Sequence, residues 1–316
     1  MKHTVKVTLT LAIFFFMAQF VGLLIINQYI DHKKTGETNK VVMKPLPYGF
    51  ERPEIKNQSI SFIYITISII FGTIIVLLLA KFRKPIIWRF WFFGSVWITL
   101  SIALAAFIDS KIAIFLSLAV ALLKFLRPNF IVQNISEIFV YGGLAAIFVP
   151  IFNLFAAFML LLLISAYDYV AVFKTKHMIS LARFQSDSKV FAGLFIPYKA
   201  QNGRDAKTKK IEQNNGLQLK NSSAKNSAKK THAAVLGGGD IGFTLIFAGV
   251  VMGDLMLKGS MIAGFLKALV IPIFVTIALL VLLLKGKKNK FYPAMPILSI
   301  GCFAGYLAVL LMNRFF

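Results

Sequence analysis

The chain has little of what a soluble enzyme usually carries. Charged residues are 15% of its 316 residues, against about 25% in a typical soluble domain. Acidic residues are scarcest: 12 Asp and Glu face 35 Lys and Arg, for a formal net charge of +23. A single cysteine, Cys302, excludes an intrachain disulfide and a cysteine-rich metal site. There are only four histidines and no HExxH pattern, which weighs against a zinc protease. No metal and no cofactor is therefore expected. No internal repeat is visible either. What the chain has in excess is apolar: 58% of residues are hydrophobic, 32 of them Phe, and the mean hydropathy is +0.76. That composition points to an all-α polytopic membrane protein.

A helix needs about 20 mostly apolar residues to cross a bilayer. Nine stretches qualify in outline: 7–30, 59–80, 86–108, 112–126, 130–147, 151–173, 234–253, 260–284 and 291–313. The fourth and fifth are short, so a count of eight or ten stays open. Lys2 and Lys6 give the first stretch a basic start. Its apolar run from Leu9 to Ile26 is longer than a signal-peptide core and no A-x-A site follows, so a retained helix is expected. The Lys and Arg distribution sets orientation. With the N-terminus inside, 25 fall on the inner side and 9 on the outer, and without the two long loops the ratio is 12 to 3. The N-terminus is therefore expected in the cytoplasm and the C-terminus outside, in a multi-pass protein of the cell membrane.

The chain divides into helices one to five over 1–150, a sixth over 151–173, a basic cytoplasmic loop over 174–233, and helices seven to nine over 234–316. Apolar residues persist in the loop from Met178 to Ile196, where a short interfacial helix is plausible. After residue 198 it is rich in Lys, Asn, Gln, Ser and Ala and is expected to be largely flexible. The basic stretch lacks aromatics for stacking bases, so no nucleic-acid partner is expected. The lipid headgroups are the simpler neighbour.

Most of the twelve acids fall in loops or at helix ends. Glu137 lies seven residues into the fifth stretch, near its inner edge, with no role assigned. Two acids fall clearly inside apolar runs: Asp168 in LLLLISAYDYVAVF and Asp240 in AAVLGGGDIGFTLIF. An Asp at mid-helix costs roughly 2.5–3.5 kcal/mol on insertion scales, and residues that costly mark ion paths, proton relays or catalysis. A single one could also be a structural hydrogen bond between helices. The sixth and seventh stretches run antiparallel, and a rise of about 1.5 Å per residue puts Asp168 about 9 Å and Asp240 about 12 Å from the cytoplasmic end. No basic residue lies at that depth on either helix. Two close carboxylates in a low-dielectric site do not both ionise cheaply, so one keeps its proton and the pair titrates as a unit. That is the arrangement of the aspartic proteases. One member takes a proton from water while the other hydrogen-bonds the scissile carbonyl.

Gly237, Gly238 and Gly239 precede Asp240. Inside a helix each costs about 1 kcal/mol relative to Ala, and small residues let membrane helices approach closely. Bare backbone there brings the two acids together and leaves room for an extended substrate strand. The ninth stretch opens on Tyr292-Pro293-Ala294-Met295-Pro296. The prolines mark either a helix start or irregular backbone lining a cavity. Lys267 is assigned no role. The same acids would also serve a proton- or ion-coupled transporter, although that class is built on inverted repeats.

Tyr167-Asp168, Gly237-Gly238-Gly239-Asp240 and Pro293-Ala294-Met295 resemble the YD, GxGD and PAL motifs of presenilins and signal peptide peptidases. The stretch ISAYDYVAVFKTKHMISLAR is similar to archaeal presenilin-type homologues. The resemblance implies a presenilin-like fold of about nine transmembrane helices and an intramembrane aspartyl protease, with Asp168 and Asp240 catalytic. It implies that Pro293, Ala294 and Met295 support the site and contact substrate, and that Tyr167 and the three glycines flank it. It further implies transmembrane-peptide substrates, unwound and paired as a strand near the PAL segment, and no obligatory protein subunit. The orientation is the presenilin sense, which implies substrates whose N-terminus faces outside. Oligomeric state is left open. Two positions depart from the family pattern. Met295 stands where Leu is usual, a swap of similar volume. Gly238 stands where Leu is frequent, which removes a side chain beside the acids. Prepilin peptidases also carry GxGD, but the YD and Pro-Ala-Met context fits them poorly.

Overall fold

The computed structural model describes every residue except 1–4, 39, 56, 83, 128, 176–180, 182–183, 186–187, 189, 200–230, 287–291 and 316. Among the described residues, nine long helices follow the apolar stretches: α1 Val5–Tyr29, α2 Ser61–Lys81, α3 Pro85–Ala105, α4 Ser110–Leu126, α5 Phe130–Phe148, α6 Leu154–Phe173, α7 Gly238–Lys258, α8 Met261–Lys285 and α9 Met295–Phe315. Eight are long and apolar enough to cross a membrane. The ninth, α4, has 17 residues, which is the lower end of the spanning range.

The boundaries have local causes. Asp109, Asn129 and Asn153 cap α4, α5 and α6, accepting hydrogen bonds from the backbone N–H of Lys111 at 2.9 Å, Ile131 at 3.2 Å and Ala156 at 2.8 Å. Such caps satisfy donors that a helix start leaves free. Pro150 lies in the turn between α5 and α6. The eighth helix is interrupted at Leu269, where Pro272 removes a backbone donor and its ring crowds the carbonyl four residues back.

The most enclosed helix is α7, buried from Ile241 to Met256 almost without a break. It packs against α1, α5, α6, α8 and α9. Phe158 of α6 meets Phe247 of α7 edge-on and stacks on Phe303 of α9, both with ring centroids 5.0 Å apart. The close approach of α3 and α5 requires Gly143, because a Cβ there would run into the carbonyl of Thr99. By contrast α2 buries only Ser61 and turns Ile63, Ile67, Phe71 and Ile74 outward, as a lipid-facing helix does. Cys302 is fully buried in the core, as expected of a small apolar residue.

Two differences from the expected pattern bear on the site. First, 234–237 is not helical. Strand β1, Gly193–Lys199, pairs antiparallel with strand β2, Thr231–Gly237, in the register Gly193↔Gly237 and Phe195↔Val235. The apolar residues Leu194, Phe195 and Ile196, placed by their composition in a possible interfacial helix, therefore lie in a strand. Hairpin pairing satisfies backbone groups that the glycine run would hold poorly in a helix, so α7 begins only at Gly238. Second, Lys124 does not face the inner loop. It is buried and ion-paired with Glu137. Removing it from the orientation tally leaves 11 to 3 on the short segments, the same sense. The flexibility expected after residue 198 falls largely on 200–230, outside the described residues.

Candidate active site

Tyr167 and Asp168 sit near the C-terminal end of α6, whose last residue is Phe173. Asp240 is the third residue of α7, so it occupies the first helical turn rather than a helix interior. Both aspartates are half-buried. They are close enough that the charge of Asp168 bears directly on Asp240. Neither forms an ion pair among the described residues.

Backbone amides hold each carboxyl. Asp168 Oδ2 accepts from the N–H of Met295 at 3.1 Å, and the Ala294 N–H also bonds this carboxyl. These are free donors at the start of α9, which any helix must satisfy from outside. Pro293 lies before the helix and Pro296 within its first turn, so both readings of the proline pair hold in part: 292–294 is irregular and 295 starts the helix. Position 295 contributes its backbone to Asp168, which Met and Leu supply alike. Its side chain packs in the core.

Asp240 reaches back to the N–H of Gly237, the residue that caps its own helix. An acidic residue at the third helical position often makes this reciprocal bond. From the other side, Gln19 of α1 donates through Nε2 to the Ile241 carbonyl and to Thr244 Oγ1, both at 2.9 Å. Thr244 Oγ1 in turn donates to the Asp240 carbonyl at 2.8 Å. Across the site, Ser165 of α6 and Ser299 of α9 are 2.8 Å apart, and Tyr167 Oη lies 3.0 Å from Thr73 Oγ1 of α2.

The hairpin leads into this centre. The Ala192 carbonyl accepts from the N–H of Gly238 at 3.1 Å, so the strand pairing runs up to the first residue of α7. Asn134 of α5 caps the far edge of β1, donating to the Phe195 carbonyl at 2.8 Å and accepting from the Phe195 N–H at 2.9 Å. Phe195 thus points its backbone groups away from β2. In an antiparallel ladder its partner does the same, so Val235 directs its N–H and C=O outward along the free edge of β2. Two residues further along that edge is Gly237, bound to Asp240.

The three glycines differ in what they admit. Gly237 and Gly239 would meet only ordinary contacts on gaining a Cβ, whereas a Cβ on Gly238 would collide with the hydroxyl of Tyr141. The room expected for substrate beside Gly238 is therefore filled by the protein itself. Sequence reasoning did not single out Tyr141, Gln133, Asn134 or Gln19. The available signal was a polar stripe, Gln133, Glu137 and Tyr141, recurring every four residues on an otherwise apolar helix. Lys267, also left without a role, donates to Asn313 Oδ1 at 2.5 Å, joining α8 to α9. A cleft of about 610 Å³ lined by Leu46, Phe50, Arg52 and Pro150 opens at the other end of the bundle and includes neither aspartate.

Comparison with known proteins bears on the family and the fold. Residues 41–315 match the family model described as signal-peptide peptidase, presenilin aspartyl protease. Two crystal forms of a presenilin family intramembrane aspartate protease are similar in fold. The C222 form has a TM-score of 0.57 at 18% identity, covering 96% of this chain and 99% of that one. The P2 form has a TM-score of 0.56 at 17% identity, covering 96% and 97%. A search of curated proteins finds no match.

Proposed function

Because this chain belongs to the signal-peptide peptidase and presenilin family of aspartyl proteases, and is thus a multi-pass intramembrane protease, we propose that Asp168 and Asp240 are its catalytic pair. The observation that carries this reading is the proximity of two half-buried acids that lack a cationic partner among the described residues.

The chemistry follows from the pair. A carboxylate and a carboxylic acid share one proton. The ionised member takes a proton from water, and the protonated member hydrogen-bonds the scissile carbonyl. The water oxygen bonds to the carbonyl carbon as the C=O π bond opens, and the carbonyl oxygen takes the proton of the protonated member to give a tetrahedral diol. The C–N bond then breaks, the nitrogen receives a proton from the pair, one diol hydroxyl returns a proton to the pair, and a carboxyl and an amine leave. The amides of Ala294, Met295 and Gly237 hold both carboxyl groups in place through the cycle, so little reorganisation accompanies the charge movement.

Substrates are transmembrane segments. We propose that an unwound segment pairs along the outward edge of β2 at Val235, which delivers the next peptide bonds to Asp240. Such strand addition uses main-chain hydrogen bonds and tolerates varied side chains. The Lys and Arg distribution favours a cytoplasmic N-terminus, a cytoplasmic 174–233 loop and a C-terminus outside. The ion-coupled transporter considered from the acids alone finds no support in the family match.

The test is cleavage of a reporter transmembrane peptide by purified protein in detergent. Asp168→Asn and Asp240→Asn should each abolish product while folding normally. Unimpaired turnover by either variant would remove the pair from the mechanism.

A further inference from the structure

A third acid lies within the bundle. Glu137 is 1% exposed on α5, and its carboxylate is fully engaged. It is ion-paired with Lys124 of α4, accepts from Gln133 Nε2 at 3.1 Å, and accepts from the hydroxyl of Tyr141. Gln133 Nε2 also lies 3.0 Å from the Phe191 carbonyl and 3.1 Å from that of Gly193, at the start of β1. The network therefore has two ends. One holds the hairpin. The other is the Tyr141 hydroxyl, which stands where a side chain at position 238 would begin and lies within the electrostatic reach of Asp240.

Burying a charged pair is costly unless every member is satisfied, and in some proteins such a pair sets a unique geometry rather than adding stability. Here the geometry concerns the first turn of α7. The Tyr141 ring is fixed at its tip by a carboxylate that is itself fixed by Lys124 and Gln133. A strand-to-helix junction made of three glycines has no side chains of its own to fix it, and glycine backbone is the most permissive.

We propose that Tyr141, locked by the Glu137–Lys124 pair, is a positioning residue for Asp240, and that Gly238 is small because Tyr141 occupies its side-chain space. This rests on the reading of Asp240 as catalytic. Tyr141 does not act on substrate. It braces Gly238 from α5 while Gln19 braces Ile241 from α1, so the Asp240 carboxyl meets Asp168 in one arrangement.

Steady-state cleavage of the reporter peptide by folded variants tests this, with folding checked by size exclusion and melting. Tyr141→Phe keeps the ring and removes only the hydrogen bond to Glu137. It should lower kcat about tenfold, or about 1.4 kcal/mol in the barrier, with KM within about twofold. Gly238→Ala should lower kcat by a similar factor in the wild-type background and by less than about twofold when Tyr141 is Leu, because the obstructing ring is then gone. Wild-type kcat in Tyr141→Phe, or an equal cost of Gly238→Ala in both backgrounds, overturns the placement. If Tyr141→Phe does not fold, the Gly238→Ala comparison decides alone. Asp240→Asn is run alongside: turnover by that variant would sink the catalytic pair, whereas an inactive Asp240→Asn with additive Gly238 and Tyr141 effects sinks only this inference.

Discussion

Two acidic centres lie near each other in this bundle and are built in opposite ways. Glu137 is sealed from solvent, has a cation beside it and spends its oxygens on Lys124, Gln133 and Tyr141. Asp168 and Asp240 are half-buried, lie close enough for the charge of one to bear on the other, and are held by backbone amides. A buried carboxylate with a cation and a full set of donors is a poor proton carrier, because protonating it would unpair several groups at once. A pair of carboxylates with no cation keeps a proton to exchange. The difference lies in the partners rather than in the acids, and in the proposed mechanism it separates a structural carboxyl from a reactive one.

Substitutions at the two centres should therefore fail in opposite ways. The largest effect is on catalysis: Asp168→Asn or Asp240→Asn should lower cleavage by at least about 10²–10⁴-fold, the usual share of general acid–base catalysis. The unfolding midpoint should stay at the wild-type value. Lys124→Met should do the reverse to stability. It leaves Glu137 buried and uncompensated, at a cost of about 3–5 kcal/mol in denaturant unfolding in micelles. Adding Glu137→Leu should recover most of that loss, and a failure to recover would mean that the ion pair is not what holds α4 to α5.

Smaller effects lie between the centres. Asn134→Ala strips the partners from the N–H and C=O of Phe195, a loss of about 1–3 kcal/mol for the local structure. Faster amide exchange at Phe195 and a raised KM with little change in kcat would mark a hairpin that positions substrate. A changed kcat with unchanged KM would assign the hairpin to the chemistry instead. The smallest effect should come from Ser299→Ala. Hydrogen bonds between membrane helices average about 0.6 kcal/mol, so the melting temperature should fall only slightly and cleavage should persist.

Much of this was legible in the sequence. The apolar runs located all nine long helices among the described residues, most within a few residues of their ends, because a bilayer span leaves a long uniform signal. The two aspartates stood out equally in the sequence as candidates, since an ionisable residue in such a run is conspicuous. The hairpin was not. Residues 234–237, Ala-Val-Leu-Gly, read as the start of an apolar helix, and only pairing with 193–196 across a long polar insertion makes them a strand. Short apolar runs do not reveal their period. What fills the space beside Gly238 was hidden for a related reason. The missing side chain looked like space for substrate, and the ring that fills it comes from Tyr141, 97 positions earlier in the chain. Lys124 was counted as a surface charge because its partner Glu137 lies on the next helix, a contact that no single-helix pattern records.

The central claim is that two carboxyl groups on α6 and α7 together add water to a peptide bond inside the membrane. Mass spectrometry of a transmembrane reporter peptide, reconstituted with the protein in lipid and incubated in heavy-oxygen water, tests it most directly. The account predicts that wild-type protein yields one new C-terminus carrying a solvent oxygen, and that folded Asp168→Asn and Asp240→Asn yield none. The same labelled product from either variant would contradict it.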